Sequence, residues 1–88
     1  MKTINNKTKL EYQVLKVLHE HYACAEEIKR KLQSAQIDYP GKFFFPILSH
    51  LQLNSFLCYN WNKESGKPVK YFHLTPKGEN YFNKITVN

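Results

Sequence analysis

A mainly α-helical domain with one small β-hairpin is the fold class this sequence predicts, on three observations. Around Phe43 to Leu51, the apolar residues Phe44, Phe45, Leu48 and Leu51 recur at spacings of three and four, as on one face of a helix, while Lys42, Ser49, His50 and Gln52 fall largely elsewhere. Two runs rich in aromatic and branched residues follow, Phe56 to Trp61 and Val69 to Leu74, separated by the charged, turn-forming Asn62-Lys63-Glu64-Ser65-Gly66-Lys67-Pro68. Thr75-Pro76 then opens another helix, with the hydroxyl as its cap and proline at the first helical position, where a missing N–H leaves no bond unmade. Helix, hairpin and helix in that order outline the second half of a winged helix-turn-helix: a three-helix core, a two-stranded wing and a short C-terminal helix.

The first half supplies the rest of the core. Residues 1–7 are polar apart from Met1 and Ile4 and are expected to be flexible. Thr8-Lys9-Leu10-Glu11 has the form of a capping box, in which threonine and the glutamate three residues on satisfy each other's free backbone donors, so a first helix is expected to start there. Its inward stripe is Leu10, Val14, Leu15, Val17 and Leu18, and it should fade over Glu20 to Tyr22. A second helix is expected from Cys24 to Ser34, with Ala25, Ile28 and Leu32 inward and Glu26, Lys29, Arg30 and Gln33 outward. Gln36 to Pro40 connects it to the third helix, which opens near Pro40 or Gly41. That spacing is the one in which a first helix crosses a phosphate backbone and the next enters the major groove. The last helix is expected over Pro76 to Lys84.

The totals limit the function classes. With 88 residues the chain is expected to be a single domain, 1–88, and so small a core favours an oligomer or tight packing of three helices. A hydrophobic fraction of 42% with 15% aromatics argues against disorder. The net charge of +6 favours a polyanionic partner, and its distribution is uneven: residues 1–28 carry four basic and four acidic side chains, residues 29–88 nine basic and three acidic. Cys24 and Cys58 form no CxxC pair and sit in apolar segments, so they read as reduced, buried and structural. No signal peptide or membrane span is legible, the longest apolar run being Phe43 to Leu48, so the expected location is the cytoplasm, with no membrane partner.

Three groups of residues carry a family resemblance. Phe45-Pro46-Ile47-Leu48-Ser49-His50-Leu51, then Phe56-Leu57, then Lys70-Tyr71-Phe72-His73-Leu74-Thr75-Pro76-Lys77-Gly78 resemble the PadR-like winged-helix transcriptional regulators, whose pattern there is Tyr-Pro-x-Leu-x-x-Leu-Glu, Gly-Leu-Ile and Tyr-Tyr-x-Leu-Thr-x-x-Gly. The likeness extends from Leu10 to Phe82, and Leu74 to Gly78 is shared with MarR-like and ArsR-like winged helices. Where the family often has Gly-Tyr this chain has Ala25-Glu26, and Phe45, Gln52 and Ser55 replace its Tyr, Glu and Gly. The resemblance implies a DNA-binding regulator, expected here to be a repressor acting by operator occupancy. It further implies a homodimer, which many members build with helices beyond the wing, and often a small aromatic effector, for which nothing in this sequence locates a pocket.

On that reading the DNA-facing side chains are Lys42, Phe43, Pro46, Ser49 and His50 on the third helix, with Lys29 and Arg30 on the second and Lys63, Lys67 and Lys70 on or beside the wing. Lysine near phosphate gives salt-dependent affinity, and hydroxyl or imidazole groups can donate to bases. Against this, Phe43 and Pro46 are also ordinary packing residues, and a helical Lys29-Arg30-Lys31 run cannot aim all three at one partner. No cofactor is expected. His19, His21 and Cys24 lack the spacing of a structural metal site, and no nucleophile turn or phosphate-cradling loop marks an enzyme. Tyr59, Trp61, Tyr71 and His73 alternate along the paired strands and are expected to pack across the hairpin. An exposed aromatic wing would instead favour the rival reading, a winged-helix protein-interaction module in a replication, conjugation or phage assembly.

Overall fold

The first helix, α1 (Asn6–Glu20), buries Leu10, Val14, Leu15 and Leu18 along one stripe. The computed structural model describes residues 6–63 and 66–86. In it α1 begins two residues ahead of the expected capping box, so Thr8 lies within the helix rather than before it. Asn6 and Lys7 are helical rather than loose, while residues 1–5, including the Ile4 anchor, lie outside the described residues. Leu15 is fully buried, whereas Val17 packs at the core's edge.

After α1 the chain forms β1 (Ala23–Cys24), a two-residue strand that the sequence reading missed. It pairs antiparallel with β3 (Val69–Leu74), Ala23 opposite Phe72 and Cys24 opposite Tyr71, making the expected two-stranded wing a three-stranded sheet in the order β1-β3-β2. Two residues are too few to show an alternating pattern, so only the partner strand reveals this one. Helix α2 (Ala25–Ser34) follows, and the Glu27 carboxylate accepts a hydrogen bond from the Cys24 backbone N–H at 3.2 Å, satisfying a donor at the helix start. Ile28 and Leu32 are buried beneath it.

A 3₁₀ turn, Gly41–Phe43, leads into α3 (Phe44–Leu53). Its inward face is Phe44, Ile47, Leu48 and Leu51. Phe45, expected inside, is 56% exposed, because successive helical residues are rotated by about 100° and the helix has turned Ile47 inward instead. Helices α2 and α3 end alike: Gln36 and Ile37 donate backbone N–H groups to Gln33 and Leu32, and Ser55 and Phe56 do so to Gln52 and Leu51. This closure requires a left-handed residue, here Gln36 (φ 59°) and Ser55 (φ 64°), where glycine is the usual choice.

Strand β2 (Leu57–Asn62) runs antiparallel to β3 with Leu57 opposite Leu74, Tyr59 opposite Phe72 and Trp61 opposite Lys70. Alternation therefore puts Tyr59 and Trp61 on one face of the hairpin and Tyr71 and His73 on the other, so the expected packing of these four across the strands is not made. Tyr71 meets the edge of Tyr22 at 5.8 Å, and Tyr59 meets Phe72 at 6.2 Å. Both cysteines are free thiols and only half-buried, outside the core the sequence assigned them to, and Cys58 lies 3.2 Å from the His73 ring. Helix α4 (Pro76–Thr86) extends two residues past Lys84. Its cap is the expected one: the Thr75 hydroxyl accepts the Gly78 N–H at 2.9 Å and donates to the Ser55 carbonyl at 2.6 Å. Phe82 stacks on Tyr12 and His19, and Tyr81 on Phe56, which holds α4 against α1 and the end of α3.

Candidate nucleic-acid interface

With Phe44, Ile47, Leu48 and Leu51 buried, the opposite side of α3 is turned outward by helical geometry. Pro46 and Ser49 are exposed there, flanked by Phe45 and by Leu53, which is 85% exposed. His50 sits at the edge of this strip, its Nε2 3.6 Å from the Glu11 carboxylate, which also accepts a hydrogen bond from the Tyr81 hydroxyl at 3.2 Å. Burial, the charge of Glu11 and this hydrogen bond together raise the Tyr81 phenol above its ordinary pKa of 10.0. Phe43 turns toward the core rather than outward, as a packing residue, and Lys42 is exposed with its Nζ 5.6 Å from the Phe43 ring centre.

The basic residues divide among three places. Lys29 extends from α2 over the start of α3, its Nζ 4.8 Å from the Phe45 ring centre and 5.1 Å from that of Phe44. Arg30 and Lys31 line a separate depression of about 490 Å³ with His21, Tyr22, Glu27 and Tyr71, so the Lys-Arg-Lys run is split between two faces. On the wing, Lys63 and Lys67 are exposed at either end of the turn, where Gly66 takes φ 81°. Lys70 lies over aromatic rings, 4.2 Å from the Tyr59 centre and 5.9 Å from that of Trp61. Glu64 and Ser65 lie outside the described residues.

Helix α3 and the wing share a cleft of about 510 Å³, whose walls include Phe45, Ser49 and Gln52 from the helix and Trp61, Val69 and Lys70 from the hairpin. Its lining includes the aromatic side chains of Phe45, Trp61 and Phe72 and the basic Lys70. Trp61 is 58% exposed and Phe45 nearly as much, with a lysine ammonium near each ring. This arrangement offers an apolar helix surface bounded by cations, suited to a groove between phosphates. Phe45 was missed by the sequence reading as part of this surface. Only its direct neighbourhood in Phe43-Phe44-Phe45 hinted at it, since three consecutive aromatics cannot all face one core.

Cys58 Sγ lies 3.2 Å from His73 Nε2, and the other histidines have partners elsewhere. His19 Nδ1 is 2.7 Å from Glu79, His21 bonds the Tyr22 carbonyl and His73 Nε2 lies 2.9 Å from Asn60 Oδ1. Among the described residues no group of three or more His, Cys, Asp and Glu side chains is arranged to hold a metal ion, and no helix is long and apolar enough to cross a membrane.

No protein-family model matches the chain, and no curated protein does. Solved structures match it closely. A PadR-like transcription factor from Bacteroides fragilis is 32% identical, with 92% of this chain and 80% of that chain covered at a TM-score of 0.82. A PadR family transcriptional regulator from Eggerthella lenta is 23% identical over 93% of this chain and 69% of that chain, at a TM-score of 0.79. The structure of Bacillus subtilis PadR in complex with operator DNA is 18% identical over 90% of this chain and 47% of that chain, at a TM-score of 0.78. The last two are likenesses of fold.

Proposed function

We propose, from the premise that this chain belongs to the PadR-like transcription regulators, that it is a repressor which occupies operator DNA as a homodimer. It is a regulator and not an enzyme. Helix α3 enters the major groove with Phe45, Pro46 and Ser49 toward the base edges, while Lys29 and Lys42 at its start and Lys63 and Lys67 on the wing meet phosphates on either side. The observation that carries this reading is the outward strip of α3 bordered by cations on both α2 and the wing. The excess of basic residues after Ile28 supports it, as does the operator complex of Bacillus subtilis PadR, whose winged helix has the same fold. Two copies would set their α3 helices about 34–36 Å apart on a palindromic site. The regulator works in the cytoplasm with the DNA it reads.

Fluorescence anisotropy of labelled duplexes titrated at several salt concentrations tests the proposal. Affinity should fall linearly on a log–log plot, with a slope of about −0.9 for each phosphate neutralised. Lys67→Ala should weaken binding to all duplexes alike and reduce that slope by about one contact, and Lys42→Ala should do the same or more. His50→Ala should matter less than either, because His50 stands at the edge of the outward strip, 3.6 Å from the Glu11 carboxylate. Absence of binding at low salt would refute the DNA reading and turn attention to a protein partner for the aromatic wing.

A further inference from the structure

The outward strip of α3 is unusual for a helix that reads bases. From Phe44 to Leu53 the sequence contains no arginine, lysine, asparagine, aspartate or glutamate. Those are the side chains that make paired hydrogen bonds to guanine and adenine or accept from cytosine. The two remaining polar side chains with comparable reach stand at the flanks: His50 lies 3.6 Å from Glu11, and Gln52 lines the cleft beside Trp61. The strip itself is Phe45, Pro46, Ser49 and Leu53, and one small hydroxyl is its whole hydrogen-bonding capacity.

A largely apolar strip can recognise one apolar feature of the major groove. Base pairs present donors and acceptors there, and the exception is the C5-methyl group of thymine. A phenyl ring against a bare donor or acceptor leaves that group without its water, which disfavours the site. Against a methyl group the same ring buries apolar surface at no such penalty. Phe45 stands in the first turn of α3, the part of a recognition helix that reaches base edges, and Ser49 follows one turn later on the same side. The Lys29 ammonium, 4.8 Å from the Phe45 ring centre, stands where it would meet a phosphate if the ring entered the groove.

We infer that α3 selects its operator by pyrimidine C5-methyl groups, with Phe45 making the principal contact and Pro46 extending it. This rests on the duplex-DNA reading above. Two bases carry that methyl group, thymine and 5-methylcytosine, and recognition through the methyl accepts both.

The test starts with selection from a random duplex library by the full chain, followed by anisotropy on the enriched sequence. Thymines should be enriched in the half-site. Replacing a contacted thymidine by 2′-deoxyuridine should weaken binding about fourfold per methyl removed. A C·G pair at that position should be weaker than T·A, and methylating its cytosine at C5 should recover most of the loss. Phe45→Ala should remove most of the difference between thymine and uracil, and Phe45→Leu should keep it; Phe45 is exposed, so both variants should fold, as far-UV circular dichroism would verify. An enriched operator that binds equally well with uracil would overturn this inference and leave the DNA reading standing. Retention of the full thymine preference by Phe45→Ala would overturn it as well. Failure to bind or enrich any duplex would overturn both.

Discussion

Replacing Gly78 by alanine should destabilise the protein, against the usual gain from removing a glycine inside a helix. Gly78 lies in the first turn of α4 and faces the backbone of Phe56. A Cβ added there would stand 2.1 Å from the Phe56 carbonyl oxygen and 3.0 Å from its carbon, where ordinary contact begins at 3.4 Å. The obstacle is backbone, so no side-chain rotation relieves it and α4 must move away. That movement strains the Thr75 N–H bond to the Phe56 carbonyl (3.1 Å), the Thr75 hydroxyl bond to Ser55 (2.6 Å) and the parallel stack of Tyr81 on Phe56 (4.3 Å). Weakening two hydrogen bonds costs about 0.5–1.5 kcal/mol each. Part of the stacking energy, about 0.5–1.5 kcal/mol for such a pair, goes with them. Higher helix propensity returns about 0.5–1 kcal/mol. The net loss is about 2 kcal/mol, which for a domain of this size lowers the melting temperature by roughly 8–16 °C. Thermal and urea unfolding followed by circular dichroism would measure it, with Asn80→Ala, at an exposed position on the same helix, as a control expected to change stability by less than about 0.5 kcal/mol. A Gly78→Ala protein as stable as the parent would show that α4 does not depend on this close approach.

Two further substitutions probe the frame around the interface. Ser55→Gly should stabilise the fold by about 1 kcal/mol, because Ser55 holds φ 64° and a side chain there strains the left-handed backbone; urea unfolding that gives no gain would show the strain to be absent. Tyr81→Phe should cost about 0.5–1.5 kcal/mol near neutral pH by removing the hydrogen bond to Glu11. Since the folded protein holds the Tyr81 proton more tightly than the unfolded chain, its contribution is complete below pH 10.0 and declines as pH rises through and above that value. The variant's stability should therefore fall less steeply than the parent's in that alkaline range, and parallel declines would dismiss the linkage.

Much of the architecture was legible because it rests on local signals. The Thr75 cap and the Pro76 start concern neighbouring atoms, and the structure realises them as read. The stripes of α1 and α2 are spaced at helical period among polar residues, so one rotation alone buries them. The strand Val69–Leu74 appears at the limits its composition indicates. Gly78 was visible as part of a motif, but its reason is the carbonyl of Phe56, more than twenty residues away in the chain.

The candidate interface depended on distances that sequence does not encode. Phe43-Phe44-Phe45-Pro46-Ile47-Leu48 is apolar throughout, so periodicity permits several rotations of α3, and packing against α1 and the strand that follows chose the one that buries Ile47 and exposes Phe45. Strand β1 is too short to carry a pattern and exists through its bonds to β3. The register of the hairpin placed Lys70 opposite Trp61, and it separated Tyr59 and Trp61 from Tyr71 and His73. Sequence by itself determined the helices, the two hairpin strands and the basic excess after Ile28, because helical period, strand composition, capping and charge are properties of neighbouring residues. Tertiary structure alone decided which side of α3 faces outward and which lysines border it, because those depend on how independently formed elements fill one shared core.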